Sequence, residues 1–100
     1  MILKMFCVYD SKVGAYLPPM FFRSNGEALR AFASAANDVK HDFYRYASDY
    51  TLFEIGAFHD DSAVVNSLST PKSLGLAIEY LSKDDSQYCD VSGAKLGIAG

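Results

Sequence analysis

The sequence predicts a small α+β domain. It has a mainly antiparallel sheet of about four strands, one main helix packed on a face and a shorter second helix. Three observations carry this. Ile2 to Tyr9 is an unbroken run of branched, aromatic and sulfur side chains around Lys4, as buried strands are. Ser24 to Val39 opens with a capping signal and continues with a 3.6-residue apolar period. Tyr50 to Phe58 and Ala63 to Leu68 are β-rich runs joined by a polar loop, His59-Asp60-Asp61-Ser62, as in a hairpin.

The elements follow in order. In a strand near 2–10, Leu3, Met5, Cys7 and Tyr9 share one face, and Ile2, Phe6 and Val8 the other. Apolar content on both faces predicts a central, well-covered strand. Asp10 to Gly14 is a turn, with Gly14 free to take positive φ. A second strand is expected near 16–23. Pro18 and Pro19 lack amide donors, so this strand belongs at an edge. Pro18, Pro19, Met20, Phe21 and Phe22 thereby become candidate interface residues.

Ser24 and Glu27 form a capping box in which the serine oxygen accepts a helix amide and the glutamate reaches back to the cap amide. The helix expected at 25–39 places Ala28, Leu29, Phe32, Ala33, Ala36 and Val39 on one face. Its alanines predict close packing on the sheet. Residues 40–50 read as a short helical turn or an irregular connection. Strands are expected near 50–58 and 63–68, and Thr70-Pro71 breaks the chain. Leu74, Ala77, Ile78 and Leu81 recur at helical spacing, predicting a second helix near 72–81 that Gly75 weakens. The globular domain is read as residues 1–82. Residues 83–100, acidic and then Gly/Ala-rich, are expected to form a flexible tail.

One hundred residues make one domain. A chain this short buries about two-thirds of its unfolded surface, and dimerisation is a common remedy, so a homo-oligomer is expected. The formal net charge is −3, which argues against a bulk polyphosphate binder. Residues 1–50 hold six basic and five acidic groups (+1), whereas residues 51–100 hold three and seven (−4). A nucleic-acid surface therefore belongs in the first half. The two cysteines, Cys7 and Cys89, form no C-x-x-C, and Cys7 reads as a buried small hydrophobe. Lys4 interrupts the apolar start, no small-residue cleavage site follows, and no apolar run approaches a membrane span. The reading is a soluble intracellular protein with no membrane association.

Enzyme signatures are missing: no G-x-G-x-x-G after a strand, no G-K-[ST] phosphate loop, no G-x-S-x-G and no H-E-x-x-H. His41, His59 and the cysteines lack diagnostic ligand spacing. No catalytic residue, metal or cofactor is expected. What remains is an aromatic-plus-basic constellation. Lys40-His41-Asp42-Phe43-Tyr44-Arg45-Tyr46 interleaves rings with cations, and Phe21-Phe22-Arg23 does so more briefly. Single-stranded nucleic acid is bound by this combination, with bases stacked on rings and cations on phosphates. The candidate contacts are Tyr16, Arg23, Lys40, Tyr44, Arg45 and Tyr46. The competing reading makes Phe21, Phe22 and Phe43 core residues and the cations ordinary surface.

Three blocks carry a family resemblance: VYDSKVGAYLPPMFFRSNGEALRAF, DYTLFEIGAFHDDS and TPKSLGLAIEYL. Together with their spacing, they resemble the small nonstructural protein of gokushoviruses, single-stranded DNA phages of the Microviridae, over residues 3–81. The resemblance implies a phage protein of the host bacterial cytoplasm that is absent from the finished capsid. It also implies DNA binding, or a part in the switch from double-stranded replication to single-strand synthesis and packaging. It assigns no site residues. The partners expected are single-stranded DNA and phage or host replication and packaging proteins. The alternative is a non-catalytic homo-oligomeric adaptor with little DNA contact.

Overall fold

The computed structural model describes residues 1–82; the tail expected at 83–100 lies outside the described residues. The elements are β1 (Ile2–Asp10), β2 (Ala15–Tyr16), β3 (Met20–Phe22), α1 (Asn25–Ala36), α2 (Asp42–Arg45), β4 (Tyr50–His59), β5 (Val64–Leu76) and a 3-10 turn, Ala77–Tyr80. All strand pairings are antiparallel, in the order β2-β1-β4-β5, with β3 also on β1. The architecture is α+β, as the periodicities predict.

β1 is central, as its composition requires. Phe6 and Val8 point into the core with Leu52 and Tyr50 of β4, and α1 closes it with Ala28, Phe32 and Ala36. Ala28 and Ala36 are fully buried under the helix. The other face of β1 departs from expectation because nothing among the described residues lies over it. Cys7 is buried there and burial pushes its thiol pKa up. Leu3, Met5 and Tyr9 are only half-buried.

The strand expected at 16–23 is two short strands. Tyr9 pairs with Tyr16, but Phe6 pairs with Met20, and the pairing slips by one residue between them. Leu17 still donates to the Val8 carbonyl at 2.8 Å; Pro18 and Pro19 have no amide to give, so the ladder parts there. The edge position is as predicted.

The α1 cap forms with one change. Ser24 Oγ accepts the Glu27 amide at 3.2 Å, but the Glu27 carboxylate accepts from the Arg23 amide at 2.9 Å, one residue before the cap. Ser24→Ala is expected to cost about 1 kcal/mol, seen as a lower urea midpoint with unchanged slope. The helix ends at Ala36 rather than residue 39. Asn37 stops it: its Nδ2 donates to the carbonyls of Ala33 (2.8 Å) and Tyr80 (2.9 Å), and its Oδ1 accepts the Ser82 amide at 2.6 Å. Val39, placed on the apolar stripe by periodicity, is therefore 63% exposed.

The largest correction concerns residues 63–81. The chain does not break at Thr70-Pro71, and the shorter helix expected near 72–81 is confined to the 3-10 turn Ala77–Tyr80. β5 continues through Leu76. Gly56 pairs with Ser67 and Glu54 with Lys72, so Ile55 alone faces the excursion Leu68–Pro71. An edge strand accommodates proline in such a bulge. Gly75 has φ +121°, which no right-handed helix allows. The apolar spacing of Leu74, Ala77 and Leu81 reflects a strand end and a single 3-10 turn packed against α1.

Candidate nucleic-acid interface

The Lys40–Tyr46 segment is folded around Phe43. Its ring packs on Phe32 (centroids 5.5 Å apart) and Tyr50 (4.6 Å), plugging the gap between α1 and β4. His41 caps α2 by accepting the Phe43 amide on Nδ1 at 3.1 Å. With Phe43 anchored inward, Tyr44 and Tyr46 are left outward, 43% and 55% exposed. The interleaved pattern thus divides: Phe43 is core, and its aromatic neighbours are surface.

One of the cations there is paired. The Arg45 guanidinium meets Asp42 at 2.8 Å. Lys40 is exposed, and its backbone amide donates to Asp38. Arg23 is exposed beyond the end of β3. Tyr16, 49% exposed, lies on the opposite face of the sheet, its ring against Tyr9 at 4.9 Å and Phe53 at 5.7 Å. The six candidate contacts are therefore not one site. Lys40, Tyr44, Arg45 and Tyr46 gather around α2, whereas Tyr16 belongs to the other face. Of the interface candidates, Pro18 and Pro19 are exposed, Met20 and Phe22 turn inward beside the core, and Phe21 is 46% exposed on the Tyr16 face.

Tyr46 lines a cleft of about 360 Å³ with Asp10, Lys12, Asp49 and Tyr50. The β1–β4 ladder builds it: Asp10 pairs with Tyr50, and Ser11 donates its amide to the Asp49 carbonyl at 3.0 Å. Asp10 Oδ1 accepts the Lys12 amide at 3.0 Å, and Gly14 at φ +76° closes the turn by donating to the Asp10 carbonyl. Lys12 is thereby held at the rim. Burial first, and then the carboxylates of Asp10, Asp42 and Asp49, push the Tyr50 phenol up, so at neutral pH it stays protonated and remains a hydrogen-bond donor. The cleft offers a stacking ring, a cation, two carboxylate acceptors and a phenol donor. That set suits the edge of a nucleobase better than a phosphate, because carboxylates accept from exocyclic amines and repel phosphates.

Asp10, Lys12, Asp49 and Tyr50 were not legible as a site. Residues 10–12 and 46–50 are far apart in sequence, and only strand pairing joins them. A second, apolar cavity of about 210 Å³ between β3, α1 and α2 is lined by Met20, Phe22, Phe32, His41 and Phe43 among others. Among the described residues no cluster of His, Cys, Asp and Glu could hold a metal, and no helix is long and apolar enough to cross a membrane.

Comparison with known proteins places this domain. No curated protein and no solved structure matches the chain. Residues 3–80 match the family described as phage ORF5 protein. The match begins inside β1 and ends with the 3-10 turn, so it spans nearly the whole described fold. The chain belongs to the phage ORF5 protein family.

Proposed function

We propose that this protein is a non-catalytic, nonstructural accessory protein of a gokushovirus-type Microviridae phage. In the host cytoplasm it binds single-stranded DNA or assists the switch from genome replication to single-strand synthesis and packaging. The observation that supports it is the Tyr46 cleft, where an exposed ring, Lys12 and base-edge acceptors meet. An unstacked base enters such a cleft; a duplex base does not. The acidic surroundings fit a protein that touches a few nucleotides rather than one that condenses a genome.

The test is a fluorescence titration with single- and double-stranded oligonucleotides at two salt concentrations. Single strands are expected to bind better, with a shallow salt dependence of roughly −0.7 in log K per phosphate contacted. Tyr46→Ala should weaken binding by about 5- to 150-fold, the equivalent of roughly 1–3 kcal/mol for one stacked base. Arg45→Glu should weaken it too, because it replaces the cation of an exposed pair and leaves two carboxylates, at 42 and 45, facing the strand's phosphates. No binding at physiological salt would overturn the reading. It would favour the adaptor for phage or host replication and packaging proteins, which the balance of Asp10, Asp38, Asp42 and Asp49 against Lys12, Lys40 and Arg45 also fits.

A further inference from the structure

We propose that a second copy of this chain covers the open face of the sheet, forming a two-fold dimer by face-to-face packing. The surface is distinct from the Tyr46 cleft. Residues directly opposed in antiparallel pairs share a face, and the registers then define it. Phe58 lies between Leu3 and Val65, Phe53 between Cys7 and Ser73, Phe21 opposite Met5, and Tyr16 opposite Tyr9. No charged side chain occurs in these rows. Lys4, Glu54 and Lys72 all fall on the helix side, where Lys4 Nζ lies 3.6 Å from Glu54.

The rings organise this face into two groups. Tyr16 packs with Tyr9 and Phe53, and Phe21 packs on Phe58 at 5.7 Å. Tyr16, Phe21 and Val65 nevertheless remain about half exposed. An uncharged, aromatic sheet face of this kind is a protein-binding surface.

Size, charge and the state of the edges select the occupant. A nine-residue β1 at ~3.3 Å per residue and four strand rows at ~4.8 Å give a plan area of roughly 570 Å². Side chains standing off the plane raise the accessible area toward the ~800 Å² per partner of a stable interface. Two copies at net charge −3 repel, but here they meet through their uncharged faces, with the charges at the rim and behind. Nucleic acid on this face would find no cation for its phosphates. Growth of the sheet by edge pairing is blocked on both sides, by Pro18-Pro19 at the β2/β3 edge and by the Leu68–Pro71 excursion in β5. Among the described residues the face, not an edge, is the free surface. A dimer built on it buries Tyr16 and leaves both Tyr46 clefts outside.

Sedimentation equilibrium of the full chain across roughly 1 to 100 µM tests this. The expected result is a dimer. Phe21→Glu and Val65→Glu should each raise its dissociation constant at least ~30-fold, while Tyr46→Ala leaves it unchanged even if DNA binding is lost. A chain that stays monomeric overturns the proposal. It does so whether a hydrophobic dye then finds the face bare or finds it covered by residues 83–100. A dimer that neither glutamate weakens also overturns it, because the contact would then lie elsewhere.

Discussion

Phe6→Ala is expected to remove a third or more of the stability of this domain. Phe6 is 0% exposed at the centre of the core, with its ring 5.8 Å from Phe22 in an edge-on contact. Truncating a buried phenylalanine costs about 3–5 kcal/mol, from lost transfer energy and the cavity left behind. A small domain has only ~5–15 kcal/mol in total. Urea titration followed by circular dichroism should show the midpoint fall by a third or more. The comparison is Val13→Ala, on an exposed turn, which should stay within about 0.5 kcal/mol of the parent. Equal, small losses at both positions would mean that Phe6 is not the centre of the core.

The second large effect is expected at Gly56. This glycine is buried in β4 between Met5 of β1 and Ser67 of β5. A Cβ built there runs into the Asn66 carbonyl oxygen and comes within 3.2 Å of Ser67 Cα. Both obstacles are backbone, so no rotamer change relieves them; the β4–β5 ladder must shift. Gly56→Ala should cost ~3 kcal/mol, the upper range for overpacking, and lower the melting temperature by more than 10 °C at about 4–8 °C per kcal/mol. Gly26→Ala is the control. Its Cβ would meet only Ser24 Oγ, at 3.7 Å, and alanine is the better helix former. If both alanine variants melt alike, β4 and β5 are not packed as closely as described.

The two variants draw on different kinds of information. Phe6 stands in an apolar run that any pattern of alternation marks as core. Gly56 stands in a run that reads only as a strand, and its need for glycine comes from how close β5 lies. The same division runs through the site. Ser24 and Glu27 announced a helix start because capping is local: the serine reaches an amide three residues on. Phe43, Tyr44 and Tyr46 share one short segment, read either as a binding group or with Phe43 as core. Which of them turned inward depended on a gap between α1 and β4 that no neighbouring residue reveals.

Residues 72–76 form strand rather than helix for a similar reason. Leu74, Ala77, Ile78 and Leu81 do satisfy a helical period. Pairing of Lys72 and Ser73 with β4 outweighed it, because each ladder bond made there uses a backbone group that a helix would have to satisfy internally. Gly75 then supplies the positive φ at the register shift between Ser73 and Gly75, and the strand runs on to Leu76.

By itself, the sequence determined the α+β class, β1, the helix start at Ser24 and the edge position forced by Pro18-Pro19. These follow from periodicity, capping and missing amides, each legible within a few residues. Tertiary structure decided the rest. Strand pairing brought Asp10 and Lys12 to Tyr46, Asp49 and Tyr50 and made a cleft. Among the described residues, placement of α1 on one side alone left the Tyr16–Phe21 face open, where the apolar pattern had implied cover on both. Alternation shows that a residue is apolar; only the arrangement of the layers shows whether anything lies over it.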